Sequence, residues 1–457
     1  MDFSEVYKQS KLICEFSPDG NHLATAVQNK LVIRNAETLE IKSVFSCSGS
    51  IDQINWSPNG ELILSSLFDL EKVEIWSISD PNWKVVIHES VLGLSSAFFA
   101  PSSDYILSFS DAQLRITIWS LKSNEAAYIL DPKYSNKGLA YRPDKKYVSV
   151  LERKEKKDYI GIYDTDTWLL KKHFLLDTID AADISWSPDG QFIAVLESCI
   201  EYKVILYSPA GFSVGSYSAY EVGLGIKTMC WSPTSEHLIL GSYDQKVRFL
   251  NSYTWQPTLT YSHGTTLTSN VQVHQELDNR TWRRPVFDPK RNTILANPEK
   301  EAKYKIAGSP YHIQVLKNEV DKPNPKMGVG LCELNSEGHL FLSRNDNMSR
   351  CLWIWEVGVM DPIAFACQLA PIRAARWNPV DPEQLAFVCG TNCIYLWTKS
   401  CGFECIELPS AHFNAQSLHW NSNGLSLVIF SKENFCIGFT TLAEEMPLQE
   451  ASLNQDD

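Results

Sequence analysis

The chain has 457 residues, with 41 Lys and Arg against 54 Asp and Glu, so its net charge of −13 argues against a role led by binding nucleic-acid phosphate. Hydrophobic residues make up 44% and charged residues 21%, a globular composition that excludes wholesale disorder. No run approaches a membrane span, the start Met1-Asp2-Phe3-Ser4-Glu5 lacks the basic and apolar regions of a signal peptide, and the twelve cysteines are too sparse for a secreted disulfide scaffold. These features predict a soluble intracellular protein with reduced, mostly buried thiols.

In chain order, the first element is a short alternating segment, Phe3 to Tyr7. A repeated phrase follows, an aromatic or apolar residue before a polar-Pro-polar-Gly turn. It begins at Phe16, Trp56, Phe99, Tyr141, Trp186, Trp231, a weak Leu334, Trp377 and Trp420, in steps of 40, 43, 42, 45, 45, 103, 43 and 43 residues. Half a period later comes a second marker, as in Ile75-Trp76-Ser77, Ile118-Trp119-Ser120 and Leu396-Trp397-Thr398. Nine of the 14 tryptophans fall at one marker or the other. The period is that of four-stranded propeller blades. The unit around Trp231 shows all four strands, over Ile226 to Trp231, His237 to Ser242, Lys246 to Asn251 and Pro257 to Tyr261. Tyr243-Asp244-Gln245 is its tight turn, with Asp244 as an acceptor for turn amides.

The fold class predicted is all-β, a single closed WD-repeat β-propeller over residues 1–440. It has about nine four-stranded blades, or eight if one weak unit is irregular. The last unit shows three strands, so Phe3 to Tyr7 is expected to supply its outer strand and close the ring. An acidic flexible tail follows at 441–457.

The repeat stops between residues 264 and 326, where eleven basic residues meet seven acidic ones. This basic insertion carries Trp282, Arg283 and Arg284, a secondary contact for an acidic partner. Its plain reading is a solvated loop whose removal leaves the propeller folded.

Chemical motifs are sparse. Cys389 with Cys393 and Cys401 with Cys405 form two C-x₃-C phrases, but an intervening strand is expected to hold the pairs roughly 26 Å apart, against a zinc site. Gly223-Leu-Gly225 and Gly328-Val-Gly330 lack the third glycine and helix of a phosphate loop. No catalytic motif appears, so neither enzyme activity, metal nor cofactor is expected, although a carboxylate pair assembled across blades is not visible to sequence. Function then falls to surface. The turns between second and third strands share a face with the connections between blades, which collects Tyr217, Tyr220, Glu221, Asp244, Arg344 and Asp346 as a protein interface. Single Tyr and Asp residues at blade edges also commonly pack between neighbours.

Several phrases go beyond a generic repeat: Met1 to Val6, Glu201-Tyr202-Lys203, Ser218-Ala219-Tyr220-Glu221, Leu224 to Lys227, Gly241 to Asp244 and Arg344 to Asn347. Together they resemble the WD-repeat-containing protein eight family, also called the WD-repeat protein encoded antisense to tumour protein seventy-three. The resemblance runs from Met1 to about Thr440. It implies a non-enzymatic scaffold at centrosomes and spindle poles, supporting spindle assembly, centriolar satellites and cilium formation. The implied partner is a coiled-coil microtubule anchor of Msd type, the synovial-sarcoma-X-breakpoint-interacting protein. Through it come the γ-tubulin complex, microtubule minus ends and, in fungal relatives, a minus-end-directed kinesin. Neither nucleic acid nor membrane is an expected partner. A propeller of this size also resembles translation-initiation scaffolds that bind ribosomal subunits or initiation factors, a second reading that an acidic chain with one basic island favours less.

Overall fold

The computed structural model describes the chain outside residues 90–92, 111–113, 124, 269–270, 278–286, 289–292, 295–302, 318–324 and 441–457, with backbone alone at 287–288 and 293–294. The described residues form nine antiparallel blades, spanning 14–46, 53–88, 96–130, 139–175, 181–217, 226–262, 329–367, 374–407 and 417–439. They include no α-helix.

The repeated phrase has a local and a tertiary cause. Its fifth position takes a left-handed backbone, which glycine adopts without strain: φ is +74° at Gly20, +72° at Gly60 and +70° at Gly190. Ser103, Lys145 and Ser235 occupy the same conformation in degenerate copies. At three repeats the tryptophan in the first position reaches to the adjacent blade. Trp56 Nε1 donates to the Glu15 carbonyl at 3.2 Å, Trp377 to that of Glu333 at 3.1 Å and Trp420 to that of Arg376 at 3.1 Å. These three tryptophans therefore satisfy their indole N–H on the preceding blade, whereas those of Trp186 and Trp231 are buried without a hydrogen-bond partner among the described residues.

Second and third strands lie between two neighbouring blades and are apolar on both faces. Leu238, Ile239 and Leu240 are all fully buried, so this strand reads as a continuous aliphatic run rather than an alternation. The unit around Trp231 has strands at Ile226–Trp231, His237–Ser242, Lys246–Asn251 and Pro257–Ser262, within one residue of the sequence reading.

At the seam, Asp2–Phe3 and Tyr7–Lys8 both pair antiparallel with Asn434–Phe439, the third strand of blade 9. Cys14 and Leu23 of blade 1 share a core with Val428, Phe430 and Phe435 of blade 9, and Asn421 Nδ2 donates to the Gly20 carbonyl at 3.0 Å. The ring is closed by side chains as well as by strands.

The stretch between blades 6 and 7 differs from a solvated loop. Val273–Glu276 pairs in parallel with Ala364–Cys367, the outer strand of blade 7, and Tyr304–Ala307 pairs antiparallel beyond it, making a six-stranded sheet. The apolar residues among the charges explain this. Val273 is buried, and Tyr304 packs on the core of blade 8 near Tyr395 and Phe403. Glu276 spans the same joint, accepting from Tyr395 Oη at 2.6 Å and from the Leu369 amide at 2.8 Å. The insertion thus braces blades 7 and 8, and its deletion would uncover both. Lys303 of the basic island pairs with Glu407 of blade 8 at 3.4 Å.

The expected 26 Å separation of the two cysteine pairs also needs correction. Cys393–Thr398 and Gly402–Glu407 form a hairpin with Tyr395 opposite Cys405, which returns Cys405 to the neighbourhood of Cys393. Cys401 stays in the turn at the far end. The described thiols are free, six of them buried.

Candidate protein-interaction face

One face of the ring carries the second-to-third-strand turns and the connections between blades, and backbone hydrogen bonds tie these loops into a continuous surface. The Ser198 amide donates to the Asp180 carbonyl, Gly225 to that of Cys199 and Tyr243 to that of Gly225, at 2.9, 2.9 and 3.0 Å. The connection at 176–180, the turn at 198–203, the connection at 218–225 and the turn at 243–245 therefore lie side by side. Gly225 is required at this crossing, since a Cβ there would meet the Glu201 carbonyl oxygen at 2.2 Å. The glycine-rich phrase serves packing.

Tyr217 ends the outer strand of blade 5 and is only 9% exposed, edge-on to buried Tyr202. It is not available to a partner. Tyr220 is half-buried, packs 4.8 Å from the Tyr202 ring and donates to the Leu224 carbonyl. Burial pushes its phenol above the usual range, with the Asp244 charge adding to the effect. Both aromatics pack as edge residues between neighbours do, and they close the 218–225 connection onto blade 5. Glu221 and Val222, at its tip, are exposed.

Asp244 accepts from Ser242 Oγ, from the Lys246 amide at 3.3 Å and from both terminal nitrogens of Arg248. Burial opposes its charge, but these donors, Arg248 foremost, hold its carboxyl below the usual carboxylate range. Arg248 also donates to Tyr202 Oη at 3.1 Å, so Asp244 anchors the aromatic cluster beneath the face.

Arg344 and Asp346 belong to a second network. Arg344 Nη2 donates to Asp346 at 2.9 Å and Nη1 to the Ile372 carbonyl at 2.6 Å, while Lys227 of blade 6 bonds the other Asp346 oxygen. Lys227 Nζ stands 5.0 Å from the centre of the Tyr243 ring, which joins the two networks. The six residues named from sequence are thus neighbours, but five of them hold loops together and Glu221 alone is exposed. Trp282, Arg283 and Arg284 lie outside the described residues.

Sequence reasoning missed the exposed aliphatic residues of this face. Ile179 is 69% exposed, Ile200 74% and Val222 91%, each at a loop of blades 4 to 6. The only signal is their spacing of 21 and 22 residues, half a repeat, which places connection and turn alternately on one face. It also missed the buried cation beneath the neighbouring loops. Lys133 Nζ is bonded to Asp158 at 2.9 Å, Asp180 at 2.8 Å and the Ala181 carbonyl at 2.7 Å.

Comparison with known proteins places this geometry in a lineage. The WD domain, G-beta repeat, model matches residues 211–251, which cover the end of blade 5 and most of blade 6. The mouse WD repeat-containing protein WRAP73 is 37% identical over 455 residues, covering 98% of this chain and 97% of its own. The chain belongs to the WRAP73 family of WD-repeat proteins. An uncharacterized WD repeat-containing protein of Schizosaccharomyces pombe, C32H8.09, is 24% identical over 450 residues, with 92% of this chain and 88% of its own covered. The crystal structure of the C-terminal WD40 domain of Sif2 shares the fold, with a TM-score of 0.52 at 11% identity over 86% of this chain and 96% of its own. Family and fold together make this a WD-repeat scaffold protein.

Proposed function

We propose that the protein is a non-enzymatic scaffold of the centrosome and spindle pole. It holds a coiled-coil microtubule-anchoring partner of Msd type on the face described above, and through it tethers γ-tubulin-capped minus ends. Spindle assembly, centriolar satellite function and cilium formation depend on that tether, and a minus-end-directed kinesin joins the complex in some lineages. The observation that carries the reading is similarity to the mouse WRAP73 protein along essentially the whole chain. A second support is the surface itself, where loops locked from beneath present aliphatic side chains that the core does not use.

Fluorescent tagging through the cell cycle tests this. Foci at spindle poles, with co-precipitation of the Msd-type partner from mitotic cells, are the expected result. Diffuse cytoplasmic signal with co-sedimentation on polysomes would refute it and favour a translation-initiation scaffold. Tyr220→Ala is not a clean probe of partner capture, because Tyr220 closes its own loop.

A further inference from the structure

We propose that Ile179, Ile200 and Val222 form the seat for an amphipathic α-helix of split charge, one whose aliphatic stripe is flanked by acidic residues toward one end and basic residues toward the other. This rests on the scaffold reading and names the chemistry of the partner segment at that same face.

All three aliphatic side chains stand on loops fixed from below. Buried Glu197 accepts the amides of Ile179 at 3.0 Å and Asp180 at 2.7 Å. Ile200 sits at the tip of a turn closed by the Glu201 amide on the Ser198 carbonyl at 3.1 Å. Val222 tops the loop that Tyr220 closes on Leu224, next to Gly223 at φ +126°. The Ser198 to Asp180 and Gly225 to Cys199 bonds hold the three loops in a row. An apolar set so ordered before binding loses little conformational freedom when covered.

Charge divides between the ends of this row, with Asp180 between them paired to Lys133 and Arg153 and Asp177 exposed. On the blade 4 side, the second and third strands, Tyr147–Lys154 and Lys157–Asp164, run eight residues each, whereas those of the other blades run four to six. Glu152 and Glu197 occupy equivalent positions, so the blade 4 hairpin continues two residue pairs further, about 7 Å. Its exposed tip carries Lys154, Lys156 and Lys157 against one acid, Glu155. On the other side stand Glu201 and Glu221. Among the described residues none of these three lysines and two glutamates has an ion-pair partner. A covering segment gains by placing carboxylates at the hairpin and basic groups toward blade 6.

A helix suits the seat better than a strand. The row is made of loops whose amides and carbonyls bond one another, so it offers no sheet edge for an added strand, and recognition falls to side chains. A helix of about 20 residues spans about 30 Å, enough to cross the row.

The test uses the full chain and three designed helical peptides of equal length, read by fluorescence anisotropy. One has an aliphatic stripe and split charge, one the same stripe with acidic flanks throughout, and one split charge with the stripe replaced by serine. The first should bind the wild type about tenfold or more tightly than the other two. Ile200→Asp with Val222→Asp should abolish that preference with the thermal midpoint unchanged. Glu201→Lys with Glu221→Lys should weaken the split-charge peptide and strengthen the acidic one. Equal binding of all three peptides overturns the proposal, as does a folded Ile200→Asp, Val222→Asp variant that binds like wild type. Should these variants fail to fold, Ile200→Ser with Val222→Ser serves in their place. Peptide preference together with diffuse localisation of the tagged protein would remove the spindle-pole reading and leave this seat standing.

Discussion

His263 links blades 6 and 7 through the most deeply buried titratable imidazole of the face's underside, and its protonation should destabilise the ring in a predictable window. Nδ1 donates to the Gln245 carbonyl at 2.8 Å, and Nε2 accepts from Ser343 Oγ at 2.7 Å, which in turn accepts from Trp355 Nε1 at 2.8 Å. The ring packs edge-on to Trp353 at 4.7 Å. Burial lowers its pKa from 6.5 to about 4, outweighing the bond to Gln245, so the folded protein holds the neutral form. Below pH 6.5 the unfolded chain binds a proton that the folded chain refuses. The stabilisation is therefore complete above pH 6.5 and is lost as the pH falls toward 4. Between pH 7 and pH 5 the loss from this one group is about 2 kcal/mol. His263→Gln removes the titration while keeping a donor and an acceptor. The variant should be less stable by about 1 kcal/mol at pH 7 and should close or reverse that gap at pH 5. Denaturant unfolding followed by tryptophan fluorescence at both pH values measures this, and contributions from other groups cancel in the difference. Parallel pH dependences for wild type and variant would refute the assignment of a buried neutral His263.

Three further outcomes are expected. Lys133→Met leaves the buried Asp158 carboxylate without its cation and should cost about 3 kcal/mol, seen as a lower unfolding midpoint; an unchanged midpoint would mean that Arg153 and the remaining donors suffice. Glu276→Ala strands the buried Tyr395 hydroxyl and should cost about 1–3 kcal/mol, with Tyr395→Phe restoring part of the loss in the double variant, whereas additive losses would show that the two do not act together. Deleting residues 1–8 removes both outer pairings of blade 9 and the Tyr7 to Phe435 ring contact, so the thermal midpoint should fall and protease should enter the last blade; stability equal to the full chain would show that the seam holds without the N-terminus.

The architecture is legible along the chain, because the blade is a local object. Its proline turn, its left-handed fifth position and its strand patterns are written within most repeats of about 43 residues, and the recurring tryptophan marks the joint between neighbours. Family membership was legible for the same reason, in phrases such as Ser218 to Glu221 and Arg344 to Asn347 that sit on the loops. Tertiary structure decided what those loops do. Tyr217 and Tyr220 look like free aromatics along the chain, but Tyr202, on another loop, covers both. The insertion reads as a charged loop until Val273 and Tyr304 meet blades 7 and 8, partners about 90 residues away. Ile179, Ile200 and Val222 are single aliphatic residues in polar stretches, and no local pattern marks them. Only the packing of blades 4, 5 and 6 against one another sets their loops side by side, turning three isolated side chains into one surface.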